Sequence, residues 1–161
     1  MKRDKRADTP DPAPRQPLPP ELCQHLGFML AKAQQEIFDR MSAVTRPSGL
    51  TPRHFGLLML LHRRGAMRQT ELADAVRLDR TTVMNFVDEL EAAGFVKRGA
   101  DPSDRRANAV KATAKGTAWL ERLRPAAEEV ERHFLQPLTA QEQDVMRELL
   151  TRLVSHTGKG A

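Results

Sequence analysis

Two short helical patterns and the turn between them, followed at once by a hairpin with arginines at its tip, constrain this chain's fold more than any other feature. The first pattern covers about Gln69 to Val76, with Leu72, Ala73 and Val76 facing inward. Asp79 is a good N-cap for the second, which carries Val83, Phe86, Val87 and Leu90 on one face and stops at Gly94. Extended residues Phe95-Val96-Lys97-Arg98 and Asn108-Ala109-Val110-Lys111 then flank the run Asp101-Pro102-Ser103-Asp104-Arg105-Arg106. Asp-Pro followed by Ser is a turn signal, and Asp104 is close enough to brace a guanidinium. A helix-turn-helix ending in a basic hairpin predicts a winged helix, whose natural partner is duplex DNA.

Around this module the sequence predicts a mainly α fold. Residues 1 to about 19 hold five prolines among charged residues and almost nothing apolar, which predicts a disordered basic arm. Such an arm either adds loose phosphate attraction or is an inert tail. From Pro20 one long helix is expected, with Leu22, Leu26, Met29, Leu30, Ala33, Ile37, Met41 and Val44 on a continuous apolar stripe that ends near Pro47-Ser48-Gly49. Thr51-Pro52 has the form of an N-cap and first-turn proline, opening a helix that ends at Gly65. After the hairpin, Thr113 opens another long helix, which Pro125 should kink or split. Thr139-Ala140-Gln141-Glu142 is a capping box for the last helix, whose apolar face is Val145, Met146, Leu149, Leu150, Leu153 and Val154. The expected divisions are the arm (1–19), an N-terminal dimerisation helix (20–50), the winged helix-turn-helix (51–116) and C-terminal dimerisation helices (117–161). The terminal stripes are too broad for the small centre to cover. A second copy would cover them, and a two-fold dimer would set two reading helices about 34 Å apart, on successive major grooves.

Composition agrees with a polyanionic partner. The formal net charge is +5, and with aromatics at 4% and Tyr absent, stacking of single-stranded bases has few platforms. One cysteine excludes an internal disulfide framework, and no apolar run is long enough to cross a membrane, so a soluble, cytoplasmic protein is expected. Catalytic signatures such as G-x-S-x-G, H-E-x-x-H or a phosphate loop are missing, and neither enzyme activity nor a cofactor is expected. His25, His54, His62, His133 and His156 are scattered without metal-ligand spacing and read as packed or solvated. Trp119 falls in a helical stripe and reads as core or dimer interface before pocket wall.

The chain resembles the MarR family of bacterial transcriptional regulators. The resemblance runs through Leu50-Thr51-Pro52, Gln69-Thr70-Glu71-Leu72-Ala73, Leu78-Asp79-Arg80-Thr81-Thr82-Val83, Leu90-Glu91-Ala92-Ala93-Gly94-Phe95-Val96, the D-P-x-D-x-R hairpin and Thr113-Ala114-Lys115-Gly116. It implies a homodimeric regulator, usually a repressor, that binds a pseudo-palindromic double-stranded operator and is released by a small ligand or an oxidant. By position, Arg80, Thr81, Thr82 and Asn85 would face the major groove. Arg106 would enter the minor groove, braced by Asp104, with Arg105 near the backbone. It also implies an effector pocket for small aromatic, commonly anionic, compounds near Phe28, Met29 and Lys32 of the first helix and Phe55, Met59 and His62 of the second. The sequence departs from the family at Arg68, where a capping threonine is usual, and at Ala109 and Ala112, where larger residues usually anchor the wing. Cys23 lies one turn before the position of the family's peroxide-sensing thiol, which Gly27 occupies, so no redox role is expected. The alternative is a winged helix serving as a protein-interaction or RNA-binding module without operator specificity.

Overall fold

The computed structural model describes residues 17–100 and 108–156. In chain order the elements are α1 (Pro20–Cys23), α2 (Leu26–Thr45), a 3-10 turn (Arg46–Ser48), α3 (Pro52–Arg64), β1 (Met67–Arg68), α4 (Gln69–Val76), α5 (Arg80–Ala92), β2 (Val96–Ala100), β3 (Asn108–Ala112), α6 (Ala114–Leu135) and α7 (Ala140–His156). The chain divides into two compact units, one ending at Gln35 and one beginning at Glu36.

In the first unit, the single long helix expected from Pro20 is interrupted. The α1 turn closes with Leu22 N–H and His25 N–H donating to carbonyls three residues back, and α2 restarts when Met29 N–H takes the His25 carbonyl. The apolar spacing stays at three and four residues across the two residues between α1 and α2, so periodicity could not show the break. Leu22, Leu26, Met29 and Leu30 are exposed.

In the second unit the helix-turn-helix and hairpin form as expected. Asp79 caps α5, its carboxylate accepting from Thr82 N–H at 2.8 Å and Thr82 Oγ1 at 2.6 Å. The Thr82 contacts hold that carboxyl below its ordinary pKa. Gly94, at φ +74°, ends the helix in a conformation that a side chain would resist. The hairpin strands pair Val96 with Ala112 and Gly99 with Ala109. Only two residues long, β1 joins on the far side of β3 to give the antiparallel order β1-β3-β2. At the head of α4, Arg68 N–H donates to the Glu71 carboxylate at 2.9 Å, the glutamate half of a capping box.

Leu58 and Leu61 of α3, Leu72 of α4, Val83, Val87 and Leu90 of α5, Val96 and Val110 of the sheet and Leu120 of α6 form a closed apolar centre. Each such side chain contributes about 1.5–3 kcal/mol when fully buried. Trp119 belongs to this core, stacked on Phe95 at 5.3 Å. Pro125 does not split α6, which runs unbroken from Ala114 to Leu135. The Thr139–Glu142 capping box forms as expected, with Thr139 N–H donating to Glu142 at 2.8 Å. No residue of α7 is buried, and Val145, Leu149, Leu153 and Val154 are each about half exposed.

Candidate nucleic-acid interface

Helix α5 has two faces. Val83, Val87 and Leu90 anchor it in the core, while Arg80, Thr81 and Asn85 are exposed on its leading half. Thr82 is half-buried beside them, and its hydroxyl donates to the Asp79 cap at 2.6 Å, which leaves its oxygen able to accept. Met84, 47 % exposed, shares the outer face with Thr81 and Asn85, and sequence patterning did not single it out. A thioether there offers apolar contact of the kind that thymine methyl groups accept. Asp104, Arg105 and Arg106 lie outside the described residues.

The base of the wing is tied to the reading helix. Arg98 of β2 pairs with Asp88 and Glu91 of α5, and its own N–H donates to Glu91 at 2.9 Å. The Arg98 backbone and guanidinium together hold the Glu91 carboxyl below its usual pKa. The Gln69 side-chain amide of α4 faces the same guanidinium, and with its oxygen turned inward it would accept at 3.0 and 3.1 Å. Wing, reading helix and α4 thus converge on one cation. On the exposed side of the hairpin, Lys97 and Lys111 stand directly opposite each other. Like charges in that register destabilise a sheet, and a phosphate backbone would relieve them. Cross-strand register, which a sequence pattern does not fix, is the signal that pairs them.

His54 of α3 is 1 % exposed. Its Nδ1 accepts from Thr51 N–H at 3.1 Å, so in the neutral ring Nε2 carries the proton, and Nε2 lies 2.9 Å from the Glu89 carboxylate of α5. Burial lowers the His54 pKa from its ordinary 6.5 and outweighs the opposing pull of Glu89. The unfolded chain therefore takes up a proton more readily than the folded one. This contribution to stability is present above the unfolded value of 6.5 and is lost as pH falls through the lower folded value. Thermal unfolding followed from about pH 7 to pH 5 should show a steeper loss for the parent than for His54→Gln. Identical slopes would contradict that assignment.

Of the expected effector residues, Phe55, Met59 and His62 line one cleft of about 380 Å3, with Arg63, Leu120 and Arg124 around them. His62 Nε2 lies 3.5 Å from Glu121, which also holds Arg124 at 2.5 Å. Phe28, Met29 and Lys32 belong to the first unit, where Lys32 Nζ sits 5.7 Å from the Phe28 ring centre. Cys23 is exposed at the end of α1, its Sγ 4.0 Å from the Leu18 carbonyl. Among the described residues, no group of three or more His, Cys, Asp or Glu side chains is placed to hold a metal, and no helix is long and apolar enough to cross a membrane.

Comparison with known proteins places this arrangement in context. The family model described as "MarR family" matches residues 50–107. The transcriptional repressor NicR of Pseudomonas putida is 30% identical over 91% of this chain and 92% of its own. The structure of CouR bound to a 23-mer DNA duplex superposes with a TM-score of 0.77 at 30% identity, over 87% of this chain and 99% of that one. Bordetella bronchiseptica BpsR, described by the regulation of its DNA binding by 6-hydroxynicotinic acid, gives a TM-score of 0.76 at 26% identity, over 84% and 97%.

Proposed function

The chain belongs to the MarR family of transcriptional regulators, and from that premise we propose that it is a cytoplasmic homodimeric repressor of a pseudo-palindromic operator, released by a small anionic aromatic compound. The observation that carries the reading is the two-faced α5, held by its core residues and by Arg98 while Arg80, Thr81 and Asn85 stay exposed. Those three side chains, with Thr82 at the helix start, would meet base edges and phosphates in the major groove. Arg106 would enter the minor groove braced by Asp104, with Arg105 beside the backbone, because a narrow groove focuses negative potential and a guanidinium dehydrates readily. Lys97 and Lys111 would neutralise phosphates along the wing. Terminal dimerisation helices would flank the winged module of residues 51–116.

The effector would occupy the cleft lined by Phe55, Met59 and His62, where an apolar wall stands beside Arg63 and Arg124, with Glu128 and Glu131 on the same lining. That combination suits an aromatic carboxylate. Support comes from relatives: NicR is named a repressor, and BpsR is described by its response to 6-hydroxynicotinic acid. A ligand there releases DNA only to the extent that it binds the non-reading arrangement of the dimer more tightly.

Two measurements test the reading. Asn85→Ala should weaken binding to a matched operator by about 1–3 kcal/mol and relax preference at one base position, as loss of a paired base contact does. Salicylate and hydroxynicotinate titrated against the parent complex should release the duplex, with Met59→Trp, which fills the cleft, blunting release while leaving the DNA affinity intact. Unchanged binding by Asn85→Ala would remove α5 as the reading element. Failure of every phenolic or heteroaromatic acid at millimolar concentration would remove the cleft as the effector site.

A further inference from the structure

Helix α3 touches the reading helix through a buried histidine, and we propose that this His54–Glu89 contact sets the rotation of α5 and so positions its base-reading side chains. The proposal rests on the DNA-regulator reading above and goes beyond it by assigning a positioning role to a residue that faces no groove. The imidazole is hydrogen-bonded at one nitrogen, packed along one edge and faced by a carboxylate at the other nitrogen. Nδ1 meets Thr51 N–H at 3.1 Å and Thr51 Oγ1 at 2.8 Å, which locks the ring to the start of α3. The ring stands edge-on to Phe86 of α5 at 4.9 Å and 78°. Nε2, the protonated nitrogen, lies 2.9 Å from a Glu89 carboxylate oxygen, an ion-pair distance without hydrogen-bond alignment.

Phe86 and Glu89 are three residues apart on α5, so one rigid ring grips the helix at two points almost a turn apart. A contact at one point would leave the helix free to roll about its axis, and two points oppose that roll. Roll is the motion to which Asn85 is most sensitive: it sits one turn before Glu89 and must lie in the plane of a base edge to make paired hydrogen bonds. On the opposite flank, Arg98 grips Asp88 and Glu91. The acidic second half of α5 is thereby fastened to α3 on one side and to the wing on the other.

Electrostatics supplies a test of sign. The Glu89 side chain is 58% exposed, on a helix that approaches phosphates. On charge alone, its removal should tighten binding to any duplex. As an anchor, its removal should weaken binding to the operator and leave non-specific binding unchanged or slightly tighter.

The experiment uses the full-length dimer and a duplex selected from a randomised pool by the parent protein, with a scrambled duplex as reference. Glu89→Ala, at an exposed side chain, should retain the parent's melting temperature and lose about three- to fivefold in operator affinity, because an exposed partner and the intact Arg98 grip limit the effect. His54→Gln should keep near-parent affinity, since an amide can accept from Thr51 N–H and donate to Glu89. His54→Leu should lose as much as Glu89→Ala, and the double variant should lose no more than either. If His54→Leu does not fold, Glu89→Ala and His54→Gln still decide. Operator affinity equal to or tighter than the parent's in Glu89→Ala overturns the proposal while leaving the regulator reading intact. A parent dimer that selects no duplex overturns both.

Discussion

Gly116→Ala should cost the protein about 3 kcal/mol or more and abolish DNA binding near physiological temperature, the largest effect expected of any single methyl group in this fold. A Cβ at Gly116 would stand 2.1 Å from the Phe95 carbonyl oxygen, 2.9 Å from its carbon and 3.2 Å from Leu58 Cδ1. The carbonyl cannot retreat, because it accepts from Thr113 N–H at 2.9 Å in the joint between β3 and α6. The same joint is fastened by Thr113 Oγ1 on the Gly94 carbonyl at 2.8 Å and by Lys115 Nζ on the Ala93 carbonyl at 2.7 Å. Moving α6 outward to admit the methyl group would therefore break several bonds and unstack Trp119 from Phe95. Gly56 is the control. It lies inside α3 with nothing within 4 Å of its hypothetical Cβ, so Gly56→Ala should stabilise by about 0.5–1 kcal/mol. Urea unfolding of the two variants checks the pair, and a Gly116→Ala midpoint matching the parent's would refute the account of this joint.

The second large effect concerns α7. Leu149→Glu with Leu153→Glu should convert the dimer to monomers at micromolar concentration and lower operator affinity by roughly a hundredfold, since two half-sites would no longer be bound as one unit. The motive is the exposure of Val145, Leu149, Leu153 and Val154 along one helix that buries none of its own residues. Surface of that kind, carried on two terminal segments, exceeds what a soluble monomer ordinarily leaves open. Sedimentation of the double variant reads the result. A dimer of unchanged stability would assign the contact to another surface.

The parts of the fold most legible in the sequence were those governed by local chemistry. Asp79, Thr113 and the Thr139–Glu142 box cap the helices they were expected to cap, because a short polar side chain and the N–H groups it satisfies lie within one turn. Gly94 ends α5 for an equally local reason. What depended on distant partners was hidden. The β1 strand is two residues long, too short to alternate, and exists because β3 passes beside it. Pro125 suggested a break in α6 that the surrounding helix does not show. The donation of the Thr82 hydroxyl to Asp79 was not read from the sequence, although the cap itself was. His54 was one of five scattered histidines until α3 and α5 were brought together. The same holds for Arg98, whose anchoring of three elements is visible only once the sheet is formed.

A homodimer of this chain should recognise a specific duplex through the exposed face of α5. The most direct test is a footprint of the purified protein on the duplex it selects from a randomised pool, with competition by a scrambled duplex of equal length. One dimer should protect a pseudo-palindrome whose half-site centres are about 10 base pairs apart. Its specific affinity should be at least about a thousandfold tighter than for the scrambled duplex. No enriched sequence, or equal affinity for both duplexes, would contradict this expectation.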